Sequence, residues 1–264
     1  MVRQPAVAGT FYPANAGILR QTVEQLLKAS VMSFETERPK ALIVPHAGYV
    51  YSGPVAGQAY AQLIKHAGII RRVVLLGPTH RVPVRGLALP KADHFATPLG
   101  KVPIDQYAIS RLAGMSHVVE NGATHASEHS LEVQLPFLQS VLHEFTLVPL
   151  AVGDTTAVEV TDVLETLWGG PETLIVVSSD LSHYLPYAVA KQVDDDTVKQ
   201  ILGGRLLNSF EQACGALPVN GLLLAASRHK LTPKLFSQCN SGDFAGDRQS
   251  VVGYAAIGFL ESDD

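Results

Sequence analysis

Residues 40–77 read KALIVPHAGYVYSGPVAGQAYAQLIKHAGIIRRVVLLG. In this stretch, two short apolar runs lie on either side of a segment with helical spacing. Residues 40–45 and 71–77 are rich in Val, Ile and Leu, which predicts two buried strands. Between them, apolar residues in the segment 54–66 recur at the intervals of an amphipathic helix. This order of strand, helix and strand indicates a parallel sheet that is covered by helices.

The same alternation of apolar runs and amphipathic segments continues to the end of the chain. Further strands are predicted at residues 84–89, 145–152, 173–178, 234–239 and 251–260. Further helices are predicted at residues 105–112, 129–143, 155–168, 187–202 and 219–228. We therefore expect a single α/β domain over residues 1–264, with residues 1–15 as an extended arm. The predicted architecture is a three-layer α/β/α sandwich around a mostly parallel or mixed sheet.

Two local signals refine the predicted helices. Pro136 lies inside the apolar pattern of residues 129–143, so that helix should bend or begin at the proline. Thr155 or Thr156 is predicted to cap the helix within residues 155–168, because a threonine hydroxyl can accept a hydrogen bond from a free backbone N–H there.

Composition excludes several classes of protein. The chain has 264 residues, 47% of them hydrophobic, which argues against disorder. Its 20 basic and 24 acidic residues give a net charge of −4, which argues against binding to nucleic acid or to an anionic membrane. The longest uncharged apolar stretch, residues 251–260, is too short to span a bilayer, and the N-terminal sequence does not resemble a targeting signal. We expect a cytoplasmic protein in which Cys214 and Cys239 are buried free thiols.

Polar side chains follow three of the predicted strands where each strand ends. His46 follows the first strand, His80 follows the second, and Asp180 follows the strand of residues 173–178, with His183 three residues later. In open α/β sheets, ligands bind beyond the carboxyl ends of the strands. A single histidine at a strand end is usually structural, but the coincidence of these four residues favours a site at this edge.

Two other polar segments have two interpretations each. His129 and Glu132 could contribute to the site, or they could belong to a helix N-terminus whose dipole favours the glutamate. Residues 240–247, NSGDFAGD, could form a plain hairpin loop, or they could bring the carboxylate of Asp243 to the site.

Other candidates are predicted to lie outside the site. The acidic residues 194–196 are expected on a solvated helix face. The histidines expected on the surface or in loops are His66, His94, His117, His125, His143 and His229. Phosphate-loop, dinucleotide-binding and HExxH zinc motifs are not found in the sequence.

Eight motifs in order connect the chain to a known family. They are RQPAVAGTFYP, PHAGYVYSG, LLGPTH, EHSLEVQLPFLQ, VVSSDLSHY, CGALPV, NSGDFAGD and SVVGYAAIGFL. Together they resemble the Memo family, which is also the Memo component of the AmmeMemoRadiSam group of bacterial and archaeal proteins. The resemblance implies the fold of the class III extradiol dioxygenases, an α/β sandwich whose members use non-haem Fe(II). The group's name implies radical-SAM and AMMECR-type partner proteins.

The resemblance also implies roles for particular residues. The two site histidines of the family correspond to His46 and His80, and its SSD-x-x-H motif corresponds to Asp180 and His183. A cysteine that serves as a further metal ligand in vertebrate members aligns at about Asp243. The predicted metal ligands are therefore His46, His80 and Asp243, with Cys239 as a less favoured alternative to Asp243.

This set of residues suggests a chemistry. Two imidazoles and one carboxylate leave coordination positions open, which suits Fe(II), and copper and zinc are alternatives. His183 or His129 could act as a base near neutral pH, and Asp180 could orient one of them. The residues predicted to bind substrate are Tyr49, Tyr51 and Glu132. The sequence predicts a metal-dependent redox or dioxygenase-type protein acting on a small molecule. The alternative is a non-catalytic scaffold that binds a small molecule or a peptide in a vestigial dioxygenase pocket.

Overall fold

The strands of the described residues form two sheets. The structure, a computed structural model, describes residues 1–30, 38–244 and 247–261. In these ranges the strands are β1 (Val2–Arg3), β2 (Pro39–Val44), β3 (Arg72–Pro78), β4 (Leu87–Leu89), β5 (His94–Thr97), β6 (Gly100–Pro103), β7 (Val118–Glu120), β8 (Thr146–Val152), β9 (Thr173–Ser178), β10 (His183–Leu185), β11 (Thr232–Asn240) and β12 (Val251–Leu260). The larger sheet has the order β10-β12-β2-β9-β3-β8-β4-β7, and β11 also pairs with β12. Strands β1, β5 and β6 form the smaller sheet.

The centre of the larger sheet is parallel. Strands β2, β9, β3 and β8 pair in parallel, so their carboxyl ends lie at one edge. Strand β12 is antiparallel to β2, and β4 is antiparallel to β8. The sheet is therefore mixed, with a parallel core that aligns the ends of the strands carrying the candidate site.

Helices cover both faces of this sheet. They are α1 (Ala16–Ala29), α2 (Tyr49–Ala61), α3 (Gln106–Ser110), α4 (Gly122–Ala126), α5 (Leu135–Val141), α6 (Ala157–Leu167), α7 (Tyr187–Leu202) and α8 (Ala216–Arg228). Along β2, Leu42 and Val44 pack into a core with α1, α2 and α5, whereas Ala41 and Ile43 pack into a second core with α6, α7 and α8. Successive strand residues face opposite sides of a sheet, so this alternation produces the two cores. The predicted three-layer α/β/α sandwich is confirmed.

Several predicted boundaries match the structure and some do not. Helix α5 has Pro136 in its first turn, and α6 begins after Thr156, which forms a capping box with Glu159. Helix α2 begins at Tyr49, five residues before the predicted start, and continues through Pro54. That proline lacks an N–H, so the helix forms with one backbone hydrogen bond fewer.

Helix α1 was not among the sequence predictions, although its signals are present. Asn15 caps it by accepting hydrogen bonds from the backbone N–H groups of Gly17 and Ile18. Leu19, Val23 and Leu27 recur every four residues and form its buried face. In the segment before it, Val2–Arg3 forms the short strand β1, whereas residues 7–12 form tight turns in which Val7 O accepts hydrogen bonds from the backbone N–H groups of Thr10 and Phe11. Within the described ranges, no helix has both the length and the apolar character needed to cross a membrane.

Two residues that were predicted at the surface are buried. His125 lies inside α4, where Nε2 donates a hydrogen bond to the carbonyl of Ala88 over 2.8 Å, and burial lowers its pKa to about 4. Asp194 faces inward from α7 and accepts a hydrogen bond from the backbone N–H of Ser182 over 3.0 Å. Gly253 packs so closely against this carboxylate that a Cβ atom there would overlap it. Asp194 therefore holds the segment that follows β9 against β12.

Candidate metal centre

Three histidines meet at the carboxyl edge of the parallel strands. His46 follows β2 and His80 follows β3, while His129 arrives on the segment between α4 and α5. The imidazole centroids are 5.1 Å apart for His46 and His80, 5.5 Å for His46 and His129, and 4.7 Å for His80 and His129. One ring nitrogen from each lies within 4.8 Å of the others, a spacing at which one ion could contact all three.

The tautomer of His46 is fixed by its neighbours. Ser178 Oγ donates its only proton to the carbonyl of Ser130 over 2.6 Å. It also accepts a hydrogen bond from Gln134 Nε2 over 2.8 Å. Ser178 Oγ lies 2.9 Å from Nδ1 of His46 and has no second proton, so Nδ1 must be the donor. Nε2 of His46 therefore carries the lone pair that a metal needs.

Glu128 fixes the second imidazole in the same way. Its Oε1 lies 2.9 Å from Nδ1 of His80, and its Oε2 accepts from the backbone N–H of His80. Burial alone would raise the pKa of Glu128, but hydrogen bonds from His80 and Ser130 outweigh burial and lower the pKa to about 2. An ionised carboxylate can only accept, so Nδ1 of His80 is the donor, and the neutral form of this ring has its lone pair on Nε2. A carboxylate that orients a histidine in this way is common around bound metals.

Burial favours the neutral form of the imidazoles of His46 and His129. Burial, together with the neighbouring His80 and His129, lowers the pKa of His46 well below its usual value. Burial lowers the pKa of His129 to about 4, and the positive charge that His80 can carry acts in the same direction. Nδ1 of His129 is buried, lies 3.4 Å from Glu128 Oε1 and makes no hydrogen bond. Neutral imidazole is the form that binds metal ions.

Asp180 and Cys214 lie beside the three histidines. Asp180 Oδ1 accepts a hydrogen bond from the backbone N–H of His46 over 2.7 Å, and its Oδ2 lies 3.9 Å from Nε2 of His46. Burial raises the pKa of Asp180 to about 7. The Sγ atom of Cys214 lies 3.3 Å from the same Nε2, and the thiol is the donor because that nitrogen carries a lone pair. Burial and the nearby Asp180 raise the pKa of Cys214 to about 12.

His183 reaches the same cavity from strand β10. Burial lowers its pKa, so the ring is neutral at neutral pH. The backbone of Leu181 favours the charged form of the ring, but burial outweighs it, and a neutral imidazole has one nitrogen that can accept a proton. The structure thus places His183 and Asp180, two of the three predicted catalytic residues, in the cavity beside the cluster. The third, His129, is a member of the cluster itself.

Asp243 is not brought to this cluster. It caps a short turn, where Oδ2 accepts from the backbone N–H of Asn240 over 2.9 Å and Oδ1 accepts from the Tyr187 hydroxyl over 2.6 Å. The structure brings His129, and not Asp243, together with His46 and His80, and both oxygens of Asp243 have other partners. Cys239 lies on strand β11 and does not line the cavity.

The predicted substrate residues Tyr49 and Tyr51 have different positions. Tyr49 is buried in the core, and its hydroxyl donates to the carbonyl of Val133 over 2.6 Å. Tyr51 lines the cavity and is 41% exposed. The two tyrosines differ in exposure because α2 begins at Tyr49, so that both lie on its first turn. Tyr49 and Tyr51 therefore point in different directions on its first turn.

Glu132 binds the N-terminal arm and not the cavity. This fully buried carboxylate forms an ion pair with Arg3, and it accepts further hydrogen bonds from Ala6 N, Val7 N and Tyr12 Oη. The prediction that Glu132 contacts substrate does not fit these contacts. Its effect on the site is indirect, because the arm that it holds places the Phe11 ring 4.8 Å from the ring of His129.

Glu128 and Cys214 were missed as site residues, although the sequence contains a signal for each. Glu128 directly precedes His129 in EHSLEVQ, and acidic residues next to histidine often orient metal ligands. Cys214 lies in CGALPV, one of the eight family motifs. Neither signal shows which histidine is contacted, because both contacts join segments distant in sequence.

The cluster lies in a cavity of about 1540 Å³, which is large enough for an organic ligand. Imidazole ligands suit zinc, copper and iron, and three of them leave coordination positions open. Three features fit a divalent metal. The lone pairs of His46 and His80 lie on Nε2 in the neutral rings, burial favours neutral His46 and His129, and the carboxylate of Glu128 orients His80. The arrangement could therefore hold an ion in contact with a ligand in the cavity.

Comparisons with known proteins agree with the sequence motifs. The family model described as Memo-like protein matches residues 3–258. A MEMO1 family protein of Ignicoccus hospitalis is 36% identical, covering 98% of this chain and 99% of its own. Another, from Methanosarcina barkeri, is 35% identical, covering 97% and 99% respectively. The crystal structure of the uncharacterized protein JW3007 from Escherichia coli K12 has a similar fold, with a TM-score of 0.53, 14% identity, and coverage of 83% of this chain and 99% of that one. The extent of the family match shows that the chain belongs to the Memo family.

Proposed function

We propose that the protein binds a divalent metal ion through His46, His80 and His129 and uses it in a redox reaction of the dioxygenase type on a small molecule. Fe(II) is the proposed metal, with copper and zinc as the alternatives. The observation that carries the proposal is the fixed tautomer of two imidazoles. Ser178 and Glu128 occupy Nδ1 of His46 and His80, so that the lone pair of each neutral ring lies on Nε2, and an ion at His46 would replace the hydrogen bond from the Cys214 thiol.

The other residues of the cavity support a reaction there. When bound, the ion would supply Lewis acidity and redox chemistry that side chains alone lack. Burial lowers the pKa of His183, and its neutral imidazole could accept a proton from a ligand hydroxyl. Asp180 holds the backbone of His46 and so keeps that ring in place. Phe11 covers one side of His129 and limits the access of water to it.

Metal binding is tested by reconstitution without air. The purified protein is incubated with Fe(II), with Cu(II) or with Zn(II), desalted, and its metal content is measured by elemental analysis. We expect one ion per chain in the wild type and in His143→Ala, which removes an exposed histidine outside the cavity. We expect loss of the ion in the double variant His46→Ala with His80→Ala, whose folding is checked by circular dichroism. Equal binding by a folded double variant would show the metal proposal to be wrong.

Turnover is tested separately with the iron-loaded protein. Oxygen uptake is measured with a panel of catechols, and the expected result is uptake that depends on both iron and His80. Full iron content without uptake for any member of the panel would count against the enzyme and favour the non-catalytic scaffold. The two measurements therefore separate a protein that binds metal from one that also catalyses a reaction.

A further inference from the structure

The outer part of the cavity carries negative charge. Asp154, Glu211 and Asp247 line it and are exposed to solvent. Among the described residues that line the cavity, neither lysine nor arginine occurs. Arg81, Arg85 and Arg248 follow lining residues in the sequence, but none of them lines the cavity. The charge of Arg81 acts on His129 at the inner end, Arg85 forms a backbone bridge with Asp154, and Arg248 lies over the Tyr187 ring at 4.6 Å.

Exposed aromatic side chains line the same cavity as these carboxylates. Tyr51 is 41% exposed, Phe210 is 62% exposed and Tyr184 is 75% exposed, and all three line the cavity. Exposed aromatic side chains grouped around a cavity are typical of binding sites. Tyr184 also has a φ of 58°, a left-handed conformation that is unfavourable for a residue with a bulky side chain. We call the exposed lining residues Tyr51, Asp154, Tyr184, Phe210, Glu211 and Asp247 the rim.

Aromatic faces and carboxylates together form the environment in which proteins bind organic cations. The face of an aromatic ring attracts an ammonium group, and a carboxylate within about 10 Å adds a favourable Coulomb interaction. The same carboxylates repel an anionic ligand, and no basic lining residue of the described chain offsets that repulsion. A bound divalent ion would attract an anionic group only toward the base of the cavity, where the three histidines lie.

We infer that the ligand of this cavity is a small organic cation with an apolar or aromatic body and an amine that lies at the rim. The inference rests on the proposed function for the inner end of the ligand, which would face the histidine cluster. The rim would bind the amine of the ligand, a role that is separate from metal binding. Anionic ligands of the same shape, phosphorylated ones included, are then disfavoured.

A matched pair of probes tests this inference. Dopamine and 3-(3,4-dihydroxyphenyl)propanoate share a catechol and a two-carbon arm, but dopamine ends in an ammonium group and the other ends in a carboxylate. Binding to the zinc-loaded protein, in which oxidation cannot occur, is measured by calorimetry at low ionic strength. We expect dopamine to bind about tenfold more tightly, and we expect the ratio to fall in 0.5 M salt because salt screens exposed charges. Equal affinities, or tighter binding of the carboxylate, would overturn the inference.

Charge variants identify the source of the selectivity. The triple variant Asp154→Asn, Glu211→Gln and Asp247→Asn should bring the ratio of the two affinities close to one. A control variant with the same change in net charge alters exposed acidic residues outside the cavity: Glu120→Gln, Glu144→Gln and Asp162→Asn. The control should keep the tenfold ratio. A ratio that survives in the rim variant would also overturn the inference.

A second pair of probes separates this inference from the metal proposal. Phenethylamine and 3-phenylpropanoate lack the catechol and can be compared on metal-free protein. If zinc does not bind but phenethylamine is still preferred, the metal proposal fails and the cation inference stands. If zinc binds and neither pair shows a preference for the cation, the cation inference fails alone.

Discussion

Glu128 is the residue on which the geometry of the cluster depends most. Its carboxylate accepts hydrogen bonds from Nδ1 and the backbone N–H of His80 and from the backbone N–H groups of His129 and Ser130. Four donors converge on two oxygens, and three of these donors are backbone N–H groups, which cannot accept a hydrogen bond. The residue therefore connects the segment after β3 to the segment before α5, and it sets the orientation of His80.

Replacing Glu128 with glutamine should weaken metal binding. The glutamine amide brings two protons to a position where only acceptors fit, so at least one donor loses its partner and His80 loses a charged acceptor. We expect metal affinity to fall by about 10- to 100-fold and the free energy of unfolding to fall by about 1–3 kcal/mol. Zinc titration calorimetry and urea unfolding measure the two effects. Glu120→Gln, an exposed control, should change neither, and unaltered metal affinity in Glu128→Gln would contradict the assigned role.

Asp194 provides a test through pH. Burial raises its pKa to about 6, above the value of 3.8 for an exposed carboxyl. The folded protein therefore favours the protonated form, and the stability gained from protonation is complete below about pH 4 and is lost as pH rises through 6. Asp194→Asn keeps an oxygen that can accept from Ser182 N but cannot ionise.

The stability of Asp194→Asn should therefore match the wild type near pH 4 and exceed it at pH 7, by about 2–3 kcal/mol. Thermal unfolding at pH 4, 5, 6 and 7 measures the difference. Asp196→Asn, on the exposed side of the same helix, should give no such gain. A variant that is less stable than wild type at pH 7 would show that the charged form of Asp194 is favoured in the fold.

The N-terminal arm is an element whose position depends on one buried ion pair. Arg3 and Glu132 are both buried, and Glu132 also accepts from the backbone of the arm. Removing the charge of Glu132 leaves Arg3 buried without its partner, which typically costs about 3–5 kcal/mol. Glu132→Gln should therefore detach the arm and move Phe11 away from His129.

Hydrogen exchange provides the readout for the arm. In Glu132→Gln, the amides of residues 6–12 should exchange at least tenfold faster, while amides of the central strands β3 and β9 should be little changed. The exposed variant Glu24→Gln serves as the control. If the arm stays protected in a folded Glu132→Gln protein, the ion pair does not hold it.

Sequence reasoning succeeded where a local pattern determines position. His46, His80 and Asp180 follow strands that are apolar throughout, and parallel pairing brings the ends of such strands to one edge. It left alternatives open, or missed residues, where position depends on contacts between distant segments. His129 reaches the cluster through Glu128, 48 residues from its partner His80 in the sequence. Local periodicity contains no information about such pairings.

The same distinction explains why the structure differs from the prediction at two acidic residues, Asp194 and Asp243. Residues 194–196 form a run of three aspartates, a pattern that is usually solvated, yet the approach of Gly253 and Ser182 encloses Asp194. Asp243 was favoured because a carboxylate completes a common iron-binding set, but the short turn after β11 engages both of its oxygens. In each case the tertiary partners of a carboxylate decide its role, and a single sequence does not reveal those partners.

Metal binding should stabilise the whole molecule, because the three ligands belong to segments that meet only in the folded chain. His46 follows β2, His80 follows β3 and His129 precedes α5, so the unfolded chain offers no comparable site. At a free metal concentration 100 times the dissociation constant, the expected stabilisation is about 2.7 kcal/mol. For a chain of this size, the midpoint of thermal unfolding should rise by about 5 °C or more. Scanning calorimetry with increasing zinc, followed by addition of a chelator, measures the rise and its reversal. His143→Ala should respond like the wild type, whereas a folded His80→Ala protein that shows the full rise would place the stabilising ion at another site.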